Sequence, residues 1–355
     1  MTKPETQAET QTDKPSHLRR DRVTMAHAGG GKAMRDLIDE VFVSAFELDT
    51  SEDQARLVSD AMSEHGAKLA FTTDGYVVTP LEFAGGDIGK LAICGTVNDL
   101  AVGGAKPLWL SAGFIIEEGF EISRLRRVVS TMASEAKRAD VRIVTGDTKV
   151  VERGSADGLY ITTSGVGVIP PGCNLGAISI QEGDVAIVNG VLGDHGAAIL
   201  DARGDLALST TVESDCQSLA LLMQAVMSAA PNLRAARDLT RGGLASALNE
   251  MAETAQLTVE INESKLPIRP EVRGVCEILG LDPLYLANEG TLVLFVPENE
   301  AEAALASMRA QDAGRDAVVI GKARKKGPIP VTMRTLFGGE RVVDMLVGEQ
   351  LPRIC

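Results

Sequence analysis

Apolar residues recur at helical spacing between residues 34 and 46, where Met34, Leu37, Ile38, Val41, Phe42 and Ala45 mark one face. Similar patterning predicts helices over 88–102 and 122–139. Apolar runs bounded by turn residues predict strands over 68–73 and 76–79, joined by a turn at Asp74-Gly75. Further strands are expected over 108–116, 141–145 and 159–169, with a polar turn at Gly146-Asp147-Thr148-Lys149. Strands and helices intermingle here without strict β-α alternation, so the first unit is expected to be an α+β domain.

Pro170-Pro171-Gly172 punctuates the chain as a linker. Beyond it, patterning predicts strands over 185–189, 257–261, 291–296 and 318–320. Helices are expected over 197–203, 216–229, 244–255, 270–279 and 300–310. The resulting division is a disordered tail (1–24), an N-terminal domain (25–169), a second mixed domain (170–347) and a mobile end (348–355) carrying Cys355. No short repeat period is evident.

The length, 355 residues, fits two domains at about 150 residues each. Aromatic residues are only 3%, so the core must be built mainly from Val, Ile, Leu and Ala. With 35 Lys plus Arg against 49 Asp plus Glu, the net charge of -14 argues against neutralising a nucleic-acid backbone or binding an anionic membrane as the main task. It leaves room for a small phosphate ligand held through Mg²⁺, which takes carboxylate oxygens. No stretch approaches the roughly 20 apolar residues that span a bilayer, and residues 1–23 lack the apolar core of a secretory signal. A cytoplasmic protein is expected. Cys94, Cys173, Cys216, Cys276 and Cys355 are scattered without a C-x-x-C pair, against a disulfide framework or structural zinc.

Asp74 in Thr-Thr-Asp-Gly, Asp99 in Thr-Val-Asn-Asp-Leu and Asp147 in Thr-Gly-Asp-Thr-Lys are candidate Mg²⁺-nucleotide ligands, with Asp238 in Arg-Asp-Leu-Thr-Arg-Gly-Gly as a fourth. Taken alone, each reads better as a helix cap or loop turn, which Asp supplies often. Asp99 stands out because an Asn-Asp pair inside an apolar helix is locally costly. Gly29-Gly30-Gly31-Lys32 departs from the Walker pattern, since no Ser or Thr follows Lys32; a closing phosphate loop and a simple hinge both fit. His195, in Gly-Asp-His-Gly, is either a site residue or a surface residue beside a cap. Glu289, in Ala-Asn-Glu-Gly, lies between apolar elements, where burial would raise its proton affinity and suit it as a base; a partnered structural glutamate is the alternative. Lys149 could stabilise phosphate charge, shuttle a proton, or be solvated. Cys355, the last residue, has the nucleophile for carrying an acyl group, on a segment from Gly348 that could reach about 26 Å when extended; a frayed end with an incidental thiol is the alternative.

These pieces together resemble the HypE family of hydrogenase maturation proteins, the carbamoyl dehydratases. The resemblance rests on Gly-Gly-Lys-Ala-Met-Arg-Asp-Leu-Ile-Asp from Gly30, Thr-Thr-Asp-Gly-Tyr-Val-Val from Thr72, and Gly-Gly-Asp-Ile-Gly-Lys-Leu-Ala-Ile-Cys-Gly-Thr-Val-Asn-Asp-Leu-Ala-Val from Gly85. It continues through Thr-Gly-Asp-Thr-Lys-Val-Val from Thr145, Gly-Asp-His-Gly-Ala-Ala-Ile from Gly193, Ala-Asn-Glu-Gly from Ala287 and the terminal Pro-Arg-Ile-Cys. That family belongs with aminoimidazole ribonucleotide synthetase, selenophosphate synthetase and thiamine-phosphate kinase.

The resemblance implies two α+β domains, an N-terminal sheet that pairs across a homodimer into a barrel, and a C-terminal domain layered α/β/α. It implies ATP and Mg²⁺, with Lys32, Asp74, Lys90, Asn98, Asp99, Asp147 and Thr148 near the nucleotide and Asp74, Asp99, Asp147 and Asp238 at the metal. Cys355 would carry a carbamoyl group, with Lys149, Glu289 and His195 as catalytic candidates, and ATP-dependent dehydration would leave an S-bound cyano group for the iron of [NiFe]-hydrogenase. The implied partners are a HypF-like carbamoyltransferase and a HypC–HypD-like iron scaffold. Two other readings stand beside this one. A superfamily synthetase or kinase acting on a free metabolite is the first, although the cysteine or selenocysteine of selenophosphate synthetase is absent from residues 29–32. The second is a non-catalytic nucleotide-sensing scaffold whose tail docks partners.

Overall fold

The computed structural model describes residues 21–27, 32–48, 60, 67–204, 211–346, 351 and 354–355. The first helical segment is α1 (Lys32–Leu37), which runs through a π-helical stretch (Ile38–Val43) into α2 (Ser44–Phe46). Strand β1 (Lys68–Tyr76) and the short antiparallel pair β2 (Glu82–Phe83) and β3 (Gly86–Asp87) follow. Helix α3 (Ile88–Val102), β4 (Lys106–Glu117), α4 (Ile122–Arg138), β5 (Arg142–Val151) and β6 (Leu159–Ile169) complete the N-terminal domain.

Its sheet has the order β1-β6-β4-β5, with β4 and β5 parallel and the other pairs antiparallel. Two expected turns are strand instead. Asp74-Gly75 continues β1 opposite Thr163 and Thr162, and Gly146–Lys149 continues β5 beside residues 112–115 of β4. The ladder to a neighbouring strand supplies the hydrogen bonds that favour extension here, overriding the local turn preference of Asp and Gly.

Both long helices pack on one face of this sheet. On α4, Ile122, Leu125, Val128, Val129, Met132 and Ala136 form the buried stripe, at the spacing expected for one helix face. Helix α3 is capped by Asp87, whose side chain accepts the Lys90 N–H at 2.8 Å. Every residue of α3 except Lys90 and Asp99 is buried, because its far side is covered by the second domain. The opposite sheet face is open: Leu69, Phe71 and Ile115 are 62%, 71% and 41% exposed.

The second domain contains β7 (Val185–Val188), α5 (Asp194–Arg203), α6 (Ala220–Ala229), β8 (Ala235–Asp238) and α7 (Gly243–Ala255). It continues with β9 (Thr258–Asn262), α8 (Pro270–Leu279), β10 (Leu292–Val296) and α9 (Ala301–Arg309), then β11 (Val318–Arg324), β12 (Val331–Arg334) and β13 (Glu340–Val342). The sheet order is β13-β12-β9-β11-β7-β10-β8. Alternation along the central strands builds the layers. Leu292, Leu294 and Val296 of β10 join the core with Leu222 and Met223 of α6 and Met308 of α9. Val293 and Phe295 join Leu244, Leu248 and Met251 of α7 on the other face. The expected helix over 216–229 starts four residues later, and β8, β12 and β13 were not anticipated.

Residues 1–20 and 347–350 lie outside the described residues. Residues 21–24, expected in a disordered tail, are packed: the Val23 N–H donates to Phe120 O and Gly119 N–H donates to Val23 O, each at 2.8 Å. Val23 is fully buried. Ile354 and Cys355, expected in a mobile end, are seated against both domains, with Ile354 buried.

Candidate functional site at the domain junction

Three carboxylates meet where α3 lies under the second domain. Asp99 projects from α3 and accepts Thr72 Oγ1–H of β1 at 2.8 Å. Asp74 lies two residues further along β1, on the same face as Thr72. Asp238 ends β8, opposite Leu292 of β10. Burial first, and then the charges of Asp99 and Asp74, push the Asp238 carboxyl up to about 7. Asp99 is raised by burial and by Asp74, against the Thr72 hydrogen bond. Such mutual repulsion marks a place that a cation would relieve. Among the described residues, no three His, Cys, Asp or Glu side chains converge closely enough to hold a metal alone. The donor set fits Mg²⁺ only where phosphate oxygens complete the shell.

Asp147 is not brought to this cluster. It aligns with Gly113 of β4, while Asp74 aligns with Thr163 of β6. Its side chain lies on the open sheet face, 3.0 Å from Lys149 Nζ. That hydrogen bond holds the Asp147 carboxyl below its ordinary range. Thr148, between them, points the other way and is buried; its N–H donates to Asp147 Oδ1 at 2.8 Å.

Lys90 donates from Nζ to Gly85 O at 2.8 Å. Lys32 opens α1, but its side chain lies outside the described residues, as does Gly29-Gly30-Gly31. Asn98, expected near the nucleotide, is consumed internally. Its Nδ2 donates to Gln217 O and Glu289 O at 3.0 and 3.3 Å, and its Oδ1 accepts Leu219 N–H at 2.7 Å. It ties α3 to the second domain and has no N–H left for a ligand in this arrangement.

Glu289 lies beyond the carboxylate cluster, with Oε1 buried and without a partner. Burial, then Asp215, Asp238 and Asp74, raise its proton affinity well above the usual carboxylate range. Its backbone is held by a residue that sequence patterning did not single out. Asp215 accepts the N–H groups of Glu289 and Gly290 at 2.9 and 3.0 Å and Thr291 Oγ1–H at 2.8 Å. A Cβ on Gly290 would stand 1.9 Å from Asp215 O, so only glycine lets the two segments approach. Asn288 completes the corner, accepting Gly193 N–H at 2.7 Å and donating to Leu239 O at 3.0 Å.

Cys355 is seated within electrostatic reach of this acid. Val77 N–H donates to the Cys355 carbonyl at 3.1 Å, and Arg241 Nη2 lies 3.8 Å from Sγ. Burial, followed by the Glu289 charge, pushes the thiol up to about 12 despite Arg241. Cys355 is therefore a thiol, not a thiolate, when seated. His195 does not touch Sγ: its Nδ1 lies 2.8 Å from Ser214 Oγ and its Nε2 2.8 Å from Ile354 O. Cys94 and Cys216 are buried, and burial and the neighbouring Cys94 push the Cys216 thiol up. Arg241 lies in the Arg-Asp-Leu-Thr-Arg-Gly-Gly segment noted for Asp238, so a motif signal existed for it. Ser214 and Asp215 lie in a non-periodic loop, where sequence offers no pattern to find them.

The buried acid, the seated cysteine and the mutually repelling carboxylate trio lie at the junction of two domains of the AIR synthase type. "AIR synthase related protein, N-terminal domain" matches residues 52–169 and its C-terminal counterpart residues 181–333. The chain is 69% identical over 338 residues to "Carbamoyl dehydratase HypE" of Rhodobacter capsulatus, covering 95% of this chain and 99% of that one. The chain belongs to the HypE family. Among solved structures, HypE in complex with ATP aligns with a TM-score of 0.88 at 43% identity, covering 94% of this chain and 99% of that one. HypE from a HypE–HypF complex aligns with a TM-score of 0.76 at 43% identity, covering 87% and 99%. No helix among the described residues is long and apolar enough to cross a membrane.

Proposed function

We propose that this protein dehydrates a carbamoyl group carried on Cys355 to an S-bound cyano group at the expense of ATP, for hydrogenase maturation. The observation that carries the reading is the seating of Cys355 within electrostatic reach of the buried acid Glu289, with Asp74 and Asp238 adjoining. The 69%-identical relative named as a carbamoyl dehydratase, the relative solved with ATP and the relative solved with HypF support it. By the same likeness a HypF-like carbamoyltransferase would load Cys355 and a HypC–HypD-like scaffold would accept the product.

The chemistry follows from the poor leaving ability of an amide oxygen. The carbamoyl oxygen of S–C(=O)–NH₂ takes the γ-phosphoryl group of ATP, ADP leaves, and one N–H proton is lost. The C–O bond then breaks as phosphate departs, the second N–H proton is removed, and S–C≡N remains. Glu289, once ionised, is the candidate base for these protons. Arg241 is available beside the sulfur for charge on the neighbouring oxygen. Asp74, Asp99 and Asp238 would hold Mg²⁺, which when bound neutralises phosphate charge.

Lys149 and Asp147 enter through a second copy of the chain. The open face carries three exposed large apolar side chains, Leu69, Phe71 and Ile115, the kind of cluster that marks an association surface. A homodimer closing that face into a barrel would bring the partner's Asp147 and Lys149 to the nucleotide edge. Incubation with ATP and a carbamoyl donor, followed by mass spectrometry of the terminal peptide, tests the reaction. Replacement of the carbamoyl adduct by a thiocyanate is expected. Steady ADP release with the peptide unchanged would overturn the carrier role.

A further inference from the structure

We propose that His195 is a positioning residue that latches the end of the chain, holding the Ile354 carbonyl so that Cys355 stays at Glu289. This rests on Cys355 being the carrier. The hydrogen-bond network defines the proton placement at every member. Ile354 O can only accept, so Nε2 carries the ring proton and donates to it at 2.8 Å. Ser214 Oγ accepts Cys216 N–H at 3.1 Å and is left to donate its own proton to Nδ1, 2.8 Å away. The order Cys216 N–H, Ser214 O–H, His195 Nε2–H, Ile354 O therefore runs in one direction with every donor used.

The ring is held on its remaining sides as well. His195 is fully buried, and Phe83 of β2 meets it edge-on with ring centroids 5.5 Å apart. Asn288 holds the preceding turn through Gly193 N–H, and Ser214 N–H is tied to Ala84 O of the N-terminal domain at 2.8 Å. Burial drives the ring's affinity for a second proton down to about 4, so it stays neutral and in this tautomer. Both nitrogens being engaged, and neither on the sulfur, a proton-transfer role for His195 has no free atom to use.

The latch sits one residue before the carrier, and the second backbone hold, Val77 N–H on the Cys355 carbonyl, comes from the other domain. The end of the chain is thus gripped from both domains, and each release would free the thiol toward an outside donor. Losing the histidine grip should shift the end toward its unseated form without altering the acid, the carboxylates or the thiol.

The test uses the full-length protein as wild type, His195→Ala, His195→Gln and Ser214→Ala. The first readout is the rate of N-ethylmaleimide alkylation at Cys355, read on the terminal peptide without ATP or donor. His195→Ala should alkylate at least tenfold faster. His195→Gln, whose amide N–H still reaches the carbonyl, should return most of the protection. Ser214→Ala, which leaves the ring but frees its tautomer, should fall between. The second readout is single-turnover conversion of pre-carbamoylated protein, expected to fall at least tenfold in His195→Ala while loading by the donor is undiminished. Unchanged alkylation in folded His195→Ala and Ser214→Ala overturns the latch. Accelerated alkylation with no cyanation even in wild type leaves the latch standing and removes the carrier reading instead.

Discussion

The Asp215 carboxylate grips the backbone of Glu289, accepting its N–H at 2.9 Å while its second oxygen takes Gly290 N–H at 3.0 Å. A carboxylate that accepts three bonds, the third from Thr291, fixes where the buried acid points. Asp215→Ala leaves the buried N–H groups of Glu289 and Gly290 unpaired, at about 1–3 kcal/mol each before relaxation, while Thr291 Oγ1 keeps Val191 O as an acceptor at 3.2 Å. A melting temperature lowered by several degrees and conversion reduced at least tenfold are expected in thermal denaturation and single-turnover assays. Equal loss of stability without loss of conversion would show that Glu289 needs no such hold.

Glu289→Gln keeps the shape and removes the titration. Conversion should fall by about 10²–10⁴, the usual worth of a positioned base, while Cys355 still accepts the carbamoyl group. The folded-state proton affinity of Glu289 is raised, so its stabilising effect is complete below the ordinary carboxylate range and fades as pH rises. The variant lacks that loss. Chemical denaturation at pH 5 and pH 8 should find the variant gaining on wild type at the higher pH.

Asp238 makes a second, independent case. Its pKa is raised to about 7, so its contribution is present below the ordinary aspartate value and lost as pH rises through about 7. Asp238→Asn should therefore be more stable than wild type above pH 7, without nucleotide. In the same variant Mg²⁺-ATP affinity should fall about tenfold or more, measured by titration calorimetry. An unchanged affinity would remove Asp238 from the metal site.

Cys355→Ala should bind ATP as wild type does and form no thiocyanate. In wild type without ligands, alkylation of Cys355 should keep climbing with pH through the alkaline range, because the seated thiol titrates only at about 12. A plateau near pH 9 would mean that the thiol reacts from an unseated form.

Phe71→Glu puts a charge on the open face of the N-terminal sheet, where Phe71 is 71% exposed. Sedimentation should show a shift from dimer to monomer at micromolar concentration, accompanied by weaker ATP binding if Lys149 and Asp147 act across the interface. A variant that sediments as wild type would separate that face from self-association.

Much of the molecule is legible along the chain. The apolar run of α3, the periodic stripe of α4, the linker at Pro170-Pro171-Gly172 and the carboxylates Asp74, Asp99, Asp238 and Glu289 follow from spacing, residue chemistry and resemblance. Local signals erred where a neighbouring strand outweighed them. Asp74-Gly75 and Gly146–Lys149 look like turns in isolation, yet ladder pairing extends both through the sheet. That extension, with the two-residue alternation of strands, turns Asp74 inward toward α3 and Asp147 outward. Only the tertiary arrangement gathers three of four expected metal carboxylates while leaving the fourth on the open face. It also consumes Asn98 as a strut, assigns Asp215 to Glu289 and makes His195 a grip on the chain's end. Spacing along a sequence reports which groups share an element; burial, pairing and orientation between elements decide what those groups meet.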